Sequence, residues 1–110
     1  MTRTFIQTQE FVRNWEQLSL EDQDLRRLEL EILKNPKIGK VIRGTGGLRK
    51  LRFSFKNEGK SSSTRVCYVD FTEKKTVYLI TIYSKSAKDS LTRAECKNIS
   101  KMIRMLEHSI

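Results

Sequence analysis

Residues 44–53 read GTGGLRKLRF. Three glycines within four positions give way to a run that alternates basic with apolar side chains. Glycine populates backbone conformations that a Cβ penalises, so the first half is a sharp turn. The second half has the period of a strand. Over Leu48–Phe55 the alternation puts Leu51, Phe53 and Phe55 on one face with Arg49. Lys50, Arg52 and Ser54 fall on the other. A strand with one basic face, entered through a glycine hinge that brings backbone close to a bulky partner, is the element around which the remaining segments arrange.

Downstream, the polar stretch Lys56–Thr64 reads as a mobile loop. RVCYVDF (65–71) follows, then a turn at Glu73-Lys74-Lys75, then TVYLITIYS (76–84). Both strands are apolar at nearly every position, which predicts a sheet covered on both faces for part of its length. Tyr68, Tyr78 and Tyr83 suit half-buried strands. Thr92 and Glu95 then form a capping box. Cys96, Ile99, Ile103 and Leu106 recur at helical spacing behind it.

Upstream, RTFIQT (3–8) reads as a short strand. Thr8 caps a helix striped by Phe11, Trp15 and Leu18, with Trp15 as core packing. Ser19 in SLED is expected to open a second helix striped by Leu25, Leu28 and Ile32. Pro36 ends it, because proline disfavours helical backbone at the residue before it. A loop over 36–47 returns to the opening stretch. The order strand, helix, helix, three strands, helix is α+β: one domain over 1–110, with an antiparallel meander sheet and helices packed on it.

Charge narrows the partner. The chain carries 22 Lys and Arg against 13 Asp and Glu. Residues 1–33 hold 4 basic and 7 acidic side chains, residues 34–65 hold 10 and 1, and residues 66–110 hold 8 and 5. Clustering of one sign in the middle third is the footprint of a polyanion binder. No apolar run approaches the roughly 20 residues of a membrane span. MTRTFIQTQE has no signal-peptide core, so a cytoplasmic protein is expected. Cys67 and Cys96, far apart in sequence, read as free thiols.

Several chemistries are excluded by spacing. Gly59-Lys60-Ser61 ends like a phosphate-binding loop, but the first glycine of that motif would fall at Ser54. GTGG precedes a strand, whereas a dinucleotide fingerprint precedes a helix. His108 is the lone histidine and lies near the C-terminus, so neither a zinc site nor a histidine triad can be assembled; no metal or cofactor is expected. Asp70 and Glu73 read as turn residues. RNA cleavage by the substrate's own 2′-hydroxyl remains possible, since it needs only positioning and charge stabilisation on a phosphorane. Candidates are Lys50, Arg52, Arg65, Lys85 and Lys88, brought together by adjacent strand ends. A basic RNA-docking face without catalysis is the competing reading.

The ordered run NPKIGKVIRGTGGLRKLRF, GKSSSTRVCYVDF and VYLITIYSKSAKDSLT resembles the RelE/HigB-type toxins of bacterial type II toxin–antitoxin systems over nearly the whole chain. The resemblance implies the RelE-like, microbial-RNase-type fold. It implies a ribosome-dependent mRNA endonuclease, or mRNA interferase, that inhibits translation. It also implies a cognate antitoxin, with operator DNA contacted only through that antitoxin. By position, Lys50, Arg52, Arg65 and Lys85 match the catalytic basic residues. Lys40, Arg43, Arg49, Lys56, Lys60, Lys88 and Tyr83 are the candidates for RNA and ribosome contact. Two positions depart: Ser86 stands where RelE has an arginine, and Thr92 where it has a base-stacking tyrosine. Lys88, Tyr83 or Tyr68 are the candidate substitutes. Related ParE toxins imply an alternative, a blocker of gyrase or ribosome that cuts nothing. An inactive co-repressor is the third.

Overall fold

The computed structural model describes residues 2–55 and 64–109. Lys56 and Lys60, and the polar loop that carries them, lie outside the described residues. The elements are β1 (Thr4–Gln7), α1 (Gln9–Gln17), α2 (Asp22–Lys34), β2 (Lys40–Val41), β3 (Arg49–Phe53), β4 (Thr64–Phe71), a 3-10 turn (Thr72–Lys74), β5 (Thr76–Ser84) and α3 (Arg93–His108). The α+β expectation holds. None of the described helices is long and apolar enough to cross a membrane.

The sheet runs β1-β5-β4-β3-β2. Its β2–β5 part is the antiparallel meander, but β1 joins β5 in parallel, so the sheet is mixed rather than wholly antiparallel. A four-residue strand carries no sequence signal of its pairing direction. The two-residue β2, inside the stretch read as loop 36–47, is likewise too short to show a period.

Two cores flank the sheet. Phe11 and Trp15 of α1 and Leu28 and Ile32 of α2 pack with Leu51, Phe53, Phe55, Val66, Tyr68, Val77, Leu79 and Ile82. Ile99 and Ile103 of α3 pack on the other face with Leu48, Cys67, Val69, Ile80 and Tyr83. The faces of β5 switch midway. Val77 and Leu79 face α1, yet so does Ile82, while Tyr78, Ile80 and Tyr83 face α3. The cause is a bulge: Tyr68 pairs with Leu79 and Cys67 with Thr81, leaving Ile80 unmatched.

The segment between β1 and α1 satisfies that bulge. Thr8 donates its N–H to the Leu79 carbonyl at 3.1 Å and its hydroxyl to the Ile80 carbonyl at 2.6 Å. The same hydroxyl accepts from the Phe11 N–H at 3.1 Å and so caps α1. Asn14 donates its amide to the Ile82 carbonyl and to Thr81 Oγ1.

The start of α2 differs from expectation. Ser19 has φ 56°, left-handed backbone, and Glu21 is the cap, its N–H donating to the buried Asp24 carboxylate at 3.0 Å. An N-cap needs extended backbone. Ser19 is instead consumed by the tight reversal between α1 and α2.

The glycine turn also works differently from a close-approach hinge. Gly44, Gly46 and Gly47 all have positive φ, and an added Cβ would meet nothing nearer than 3.7 Å. They are there for conformation, and the fully buried Thr45 locks the turn: its hydroxyl donates to the Ile42 carbonyl and accepts from the Leu48 N–H. The crowded glycine is Gly39, where a Cβ would sit 3.0–3.1 Å from the Tyr68 ring, Arg49 Cβ and the Lys50 carbonyl. The helix α3 is held at both ends. The Thr92–Glu95 box caps its start, and Lys74 Nζ donates to the Leu106, Glu107 and Ser109 carbonyls at its end.

Replacing Thr8 by valine keeps the shape but removes both the cap and the donor to Ile80. Urea unfolding should show a loss of about 2 kcal/mol, more than a cap alone contributes. A loss under about 0.5 kcal/mol would show that the bulge does not lean on Thr8.

Candidate functional site

The basic face forms through register. Arg52 of β3 lies directly opposite Arg65 of β4, and Arg65 directly opposite Tyr83 of β5. One row along, Lys40, Lys50, Cys67 and Thr81 are matched across β2, β3, β4 and β5. Opposed residues share a face, with Cβ atoms about 4.5–5.5 Å apart. Cys67 and Tyr83 identify this face as the one α3 packs against. The result is two like-charged cross-strand pairs, Lys40–Lys50 and Arg52–Arg65, side by side. Opposed in this way, the side chains of each pair project over the same patch of the sheet. The nearest carboxylate on these strands, Asp70, is engaged on the other face, accepting from Arg3 Nε at 2.9 Å in a nearly buried ion pair.

Tyr83 adds a different feature. Its hydroxyl is buried and has no hydrogen-bond partner among the described residues. Burial pushes the phenol up to about 12, with Arg65 pulling weakly the other way. It is therefore a neutral donor at any physiological pH. Lys88 Nζ stands 5.2 Å from the ring centroid and also donates to Glu95 Oε2 at 2.6 Å. That bond, with the backbone N–H of Thr92, holds the Glu95 carboxyl below the ordinary range. Burial pushes the Cys67 thiol up to about 12, so it is no nucleophile; it and Cys96 are both free thiols.

The remaining candidates are placed as follows. Lys85 is exposed in the turn after β5. Ser86, its neighbour, shares a hydroxyl–hydroxyl bond of 2.7 Å with Ser84. Thr92 is occupied as the cap of α3, so no stacking group stands there. Arg49 lies on the opposite face from Lys50 and has a structural task. Its Nη1 donates to the Gly39 carbonyl at 2.7 Å, while the hydroxyl of its cross-strand partner Tyr68 bridges the Gly39 N–H and the Pro36 carbonyl. Together they clamp the loop before β2. Tyr68 is wholly buried there and Tyr83 is buried in the α3 core, so neither ring is open to stack on a base or contact RNA. Arg43 is exposed in the glycine turn, away from the two rows. It lines a second basic cleft with Arg93, Lys97, Lys101 and Arg104 of α3. Sequence reasoning missed that α3 face, although its spacing of four, four and three was visible.

No protein-family model matches the sequence. The fold, however, is that of RelE. A double-arginine variant of the E. coli toxin RelE in the free state superposes with a TM-score of 0.60 at 20% identity, covering 89% of this chain and 97% of that one. The isolated E. coli RelE toxin gives 0.56 at 18% identity over 92% and 99%. The intact E. coli RelBE toxin–antitoxin complex gives 0.53 at 21% identity over 74% and 94%.

The two buried tyrosines should respond oppositely to loss of the hydroxyl. Tyr68→Phe strands the Gly39 N–H and the Pro36 carbonyl and should cost about 1–3 kcal/mol. Tyr83→Phe removes a hydroxyl that has no partner among the described residues and should be neutral or stabilising by about 1 kcal/mol. Parallel urea titrations check the pair; equal losses would mean that Tyr83 has a partner in solution.

Proposed function

We propose that this chain is the toxin of a toxin–antitoxin pair and an endoribonuclease that cleaves mRNA on the translating ribosome. The observation that carries the reading is the opposed pair Arg52 and Arg65 beside Lys50, on a fold shared with RelE. Two arginines directly opposed across a sheet present their donors to one patch of surface, where a single phosphate can be met by both.

The chemistry follows from what these groups can do. An RNA phosphate seated over the row receives donors from Arg52 and Arg65. The adjacent 2′-oxygen attacks phosphorus in line, the bond to the 5′-oxygen breaks, and a 2′,3′-cyclic phosphate remains. The 2′-hydroxyl gives up one proton and the departing 5′-oxygen takes one. Arginine stays protonated throughout, so Arg52 and Arg65 stabilise the phosphorane dianion rather than exchange protons. Lys50 carries a compact ammonium beside the arginine pair and adds a point charge to the same patch. Lys85 and Lys88 flank the exit of β5 and extend the field toward the departing strand. An antitoxin that lays acidic residues over this face would neutralise both binding and catalysis; the toxin–antitoxin complex of RelE supports a cognate antitoxin for this chain.

Primer-extension mapping of a reporter mRNA in a reconstituted translation reaction tests this. Discrete cuts within translated codons, absent without ribosomes, are expected from the wild type. Arg65→Ala should reduce the single-turnover rate by about 10²–10³-fold, the usual loss for one donor to a developing oxyanion. Intact mRNA with translation still arrested would replace the nuclease with a non-cleaving blocker.

A further inference from the structure

We infer that the cleft between the glycine turn and α3 is a second phosphate-backbone site, which holds a single RNA strand apart from the Arg52–Arg65 row. The inference rests on the polyanion part of the proposed function and does not require that the chain cut RNA.

The cleft measures about 560 Å³ and is lined by Arg43, Gly44, Arg93, Cys96, Lys97, Ser100, Lys101 and Arg104. Five of these eight residues are cations and none is acidic. All five are exposed, and among the described residues none makes an ion pair or hydrogen bond. That contrasts with the site above, where Lys88 is paired with Glu95. At 100° per residue, Arg93, Lys97, Lys101 and Arg104 fall within about 80° of arc on α3 and extend about 16 Å along it. Ile99 and Ile103 occupy the opposite side and anchor the helix to the sheet. The cations therefore form one straight track, and Arg43 faces it from the turn.

The turn is built to present Arg43. Thr45 locks it internally, and Gly46 rests against Ile103 of α3, 3.7 Å from an ideal Cβ position. Gly44, at the cleft, leaves open space where a side chain would stand. A track of unpaired cations against a preformed, open wall suits a chain of regularly spaced charges. An acidic polypeptide is the less favoured occupant, because tight protein interfaces centre on aromatic or aliphatic anchors. Here the lining apart from the cations is Gly44, Cys96 and Ser100.

Fluorescence anisotropy with a short 2′-O-methyl RNA, which cannot be cut through its 2′-oxygen, tests the inference over about 50–200 mM salt. The test variant is Lys97→Gln/Lys101→Gln/Arg104→Gln. A charge-matched control, Arg13→Gln/Arg26→Gln/Lys34→Gln, alters exposed positions on α1 and α2, across the sheet. Each lost phosphate contact lowers the slope of log K against log salt by about 0.7 for a single strand. The test variant should lose about 2 from that slope, and the control should match the wild type. Circular dichroism melts should agree for all three proteins. A test variant indistinguishable from wild type, or a control that falls equally, overturns the site. Lost affinity for poly-glutamate with RNA affinity retained also overturns it, in favour of an acidic protein partner. Cleavage assays are separate: a wild type that cuts nothing but shows the expected slopes removes the nuclease and leaves this cleft standing.

Discussion

One unmatched residue, Ile80, sets the relation between core and site. Without the bulge, Tyr83 would keep step with Val77 and Leu79 and point toward α1. With it, Tyr83 moves to the α3 face and stands beside Arg65, while Ile82 takes its place in the α1 core. A strand has a period of two, so a single insertion exchanges the faces of everything beyond it. The carbonyls around the bulge would otherwise be short of partners. Thr8 and Asn14 supply them, and this is why the entry to α1 sits where it does. The N-terminal strand and helix thus do more than cover apolar surface: they hold the register on which the basic row depends.

The two faces of the sheet divide stability from chemistry. On the α1 and α2 side, polar groups are matched: Tyr68 bonds Pro36 and Gly39, Arg49 bonds Gly39, and Arg3 pairs with Asp70. Aromatic rings form a chain of contacts there, Phe11 stacked on Trp15 and then Trp15, Phe55 and Phe53 meeting edge to face. On the α3 side, cations are gathered: Lys40 and Lys50, and Arg52 and Arg65, sit opposite one another across the strands, and the buried Tyr83 hydroxyl has no partner among the described residues. Such crowding on one face is tolerable because the other face supplies the packing. Local violations of the rules of folding mark where function is to be sought.

Legibility in the sequence followed signal length. The bounds of β5 and the capping box of α3 were readable because nine apolar-rich residues and a paired Thr–Glu signature are long, redundant signals. Placement of Lys50 and Arg52 on one face was readable from strict alternation. The bulge was not, since TVYLITIYS is apolar on both faces and offers no alternation to break. The cap of α2 was misplaced because Ser19 fits a capping pattern locally, while the reversal after α1 forces it into left-handed backbone. Arg49 and Tyr68 carry functional-looking chemistry in sequence. Only three-dimensional pairing reveals that both are spent on Gly39. The cationic track of α3 is hidden for the opposite reason: its spacing is plain, but residues 66–110 mix 8 basic with 5 acidic side chains, so no one-sign excess marks it.

Charge asymmetry gives these two faces a consequence at long range. The acidic N-terminal third forms α1 and α2 on one side of the sheet, and Lys40, Lys50 and Arg52 of β2 and β3 gather with the cations of α3 on the other. The molecule is therefore an electrical dipole on top of its net charge of +9. Near a polyanion, a uniformly basic protein would approach in any orientation and search for its site afterwards. A dipolar one is turned during approach, with the acidic side repelled and the basic side leading, which raises the fraction of productive encounters. The seven carboxylates of residues 1–33 then matter for association even though none touches the candidate site. Their surplus over the four basic residues of that segment supplies the steering that the cations alone cannot.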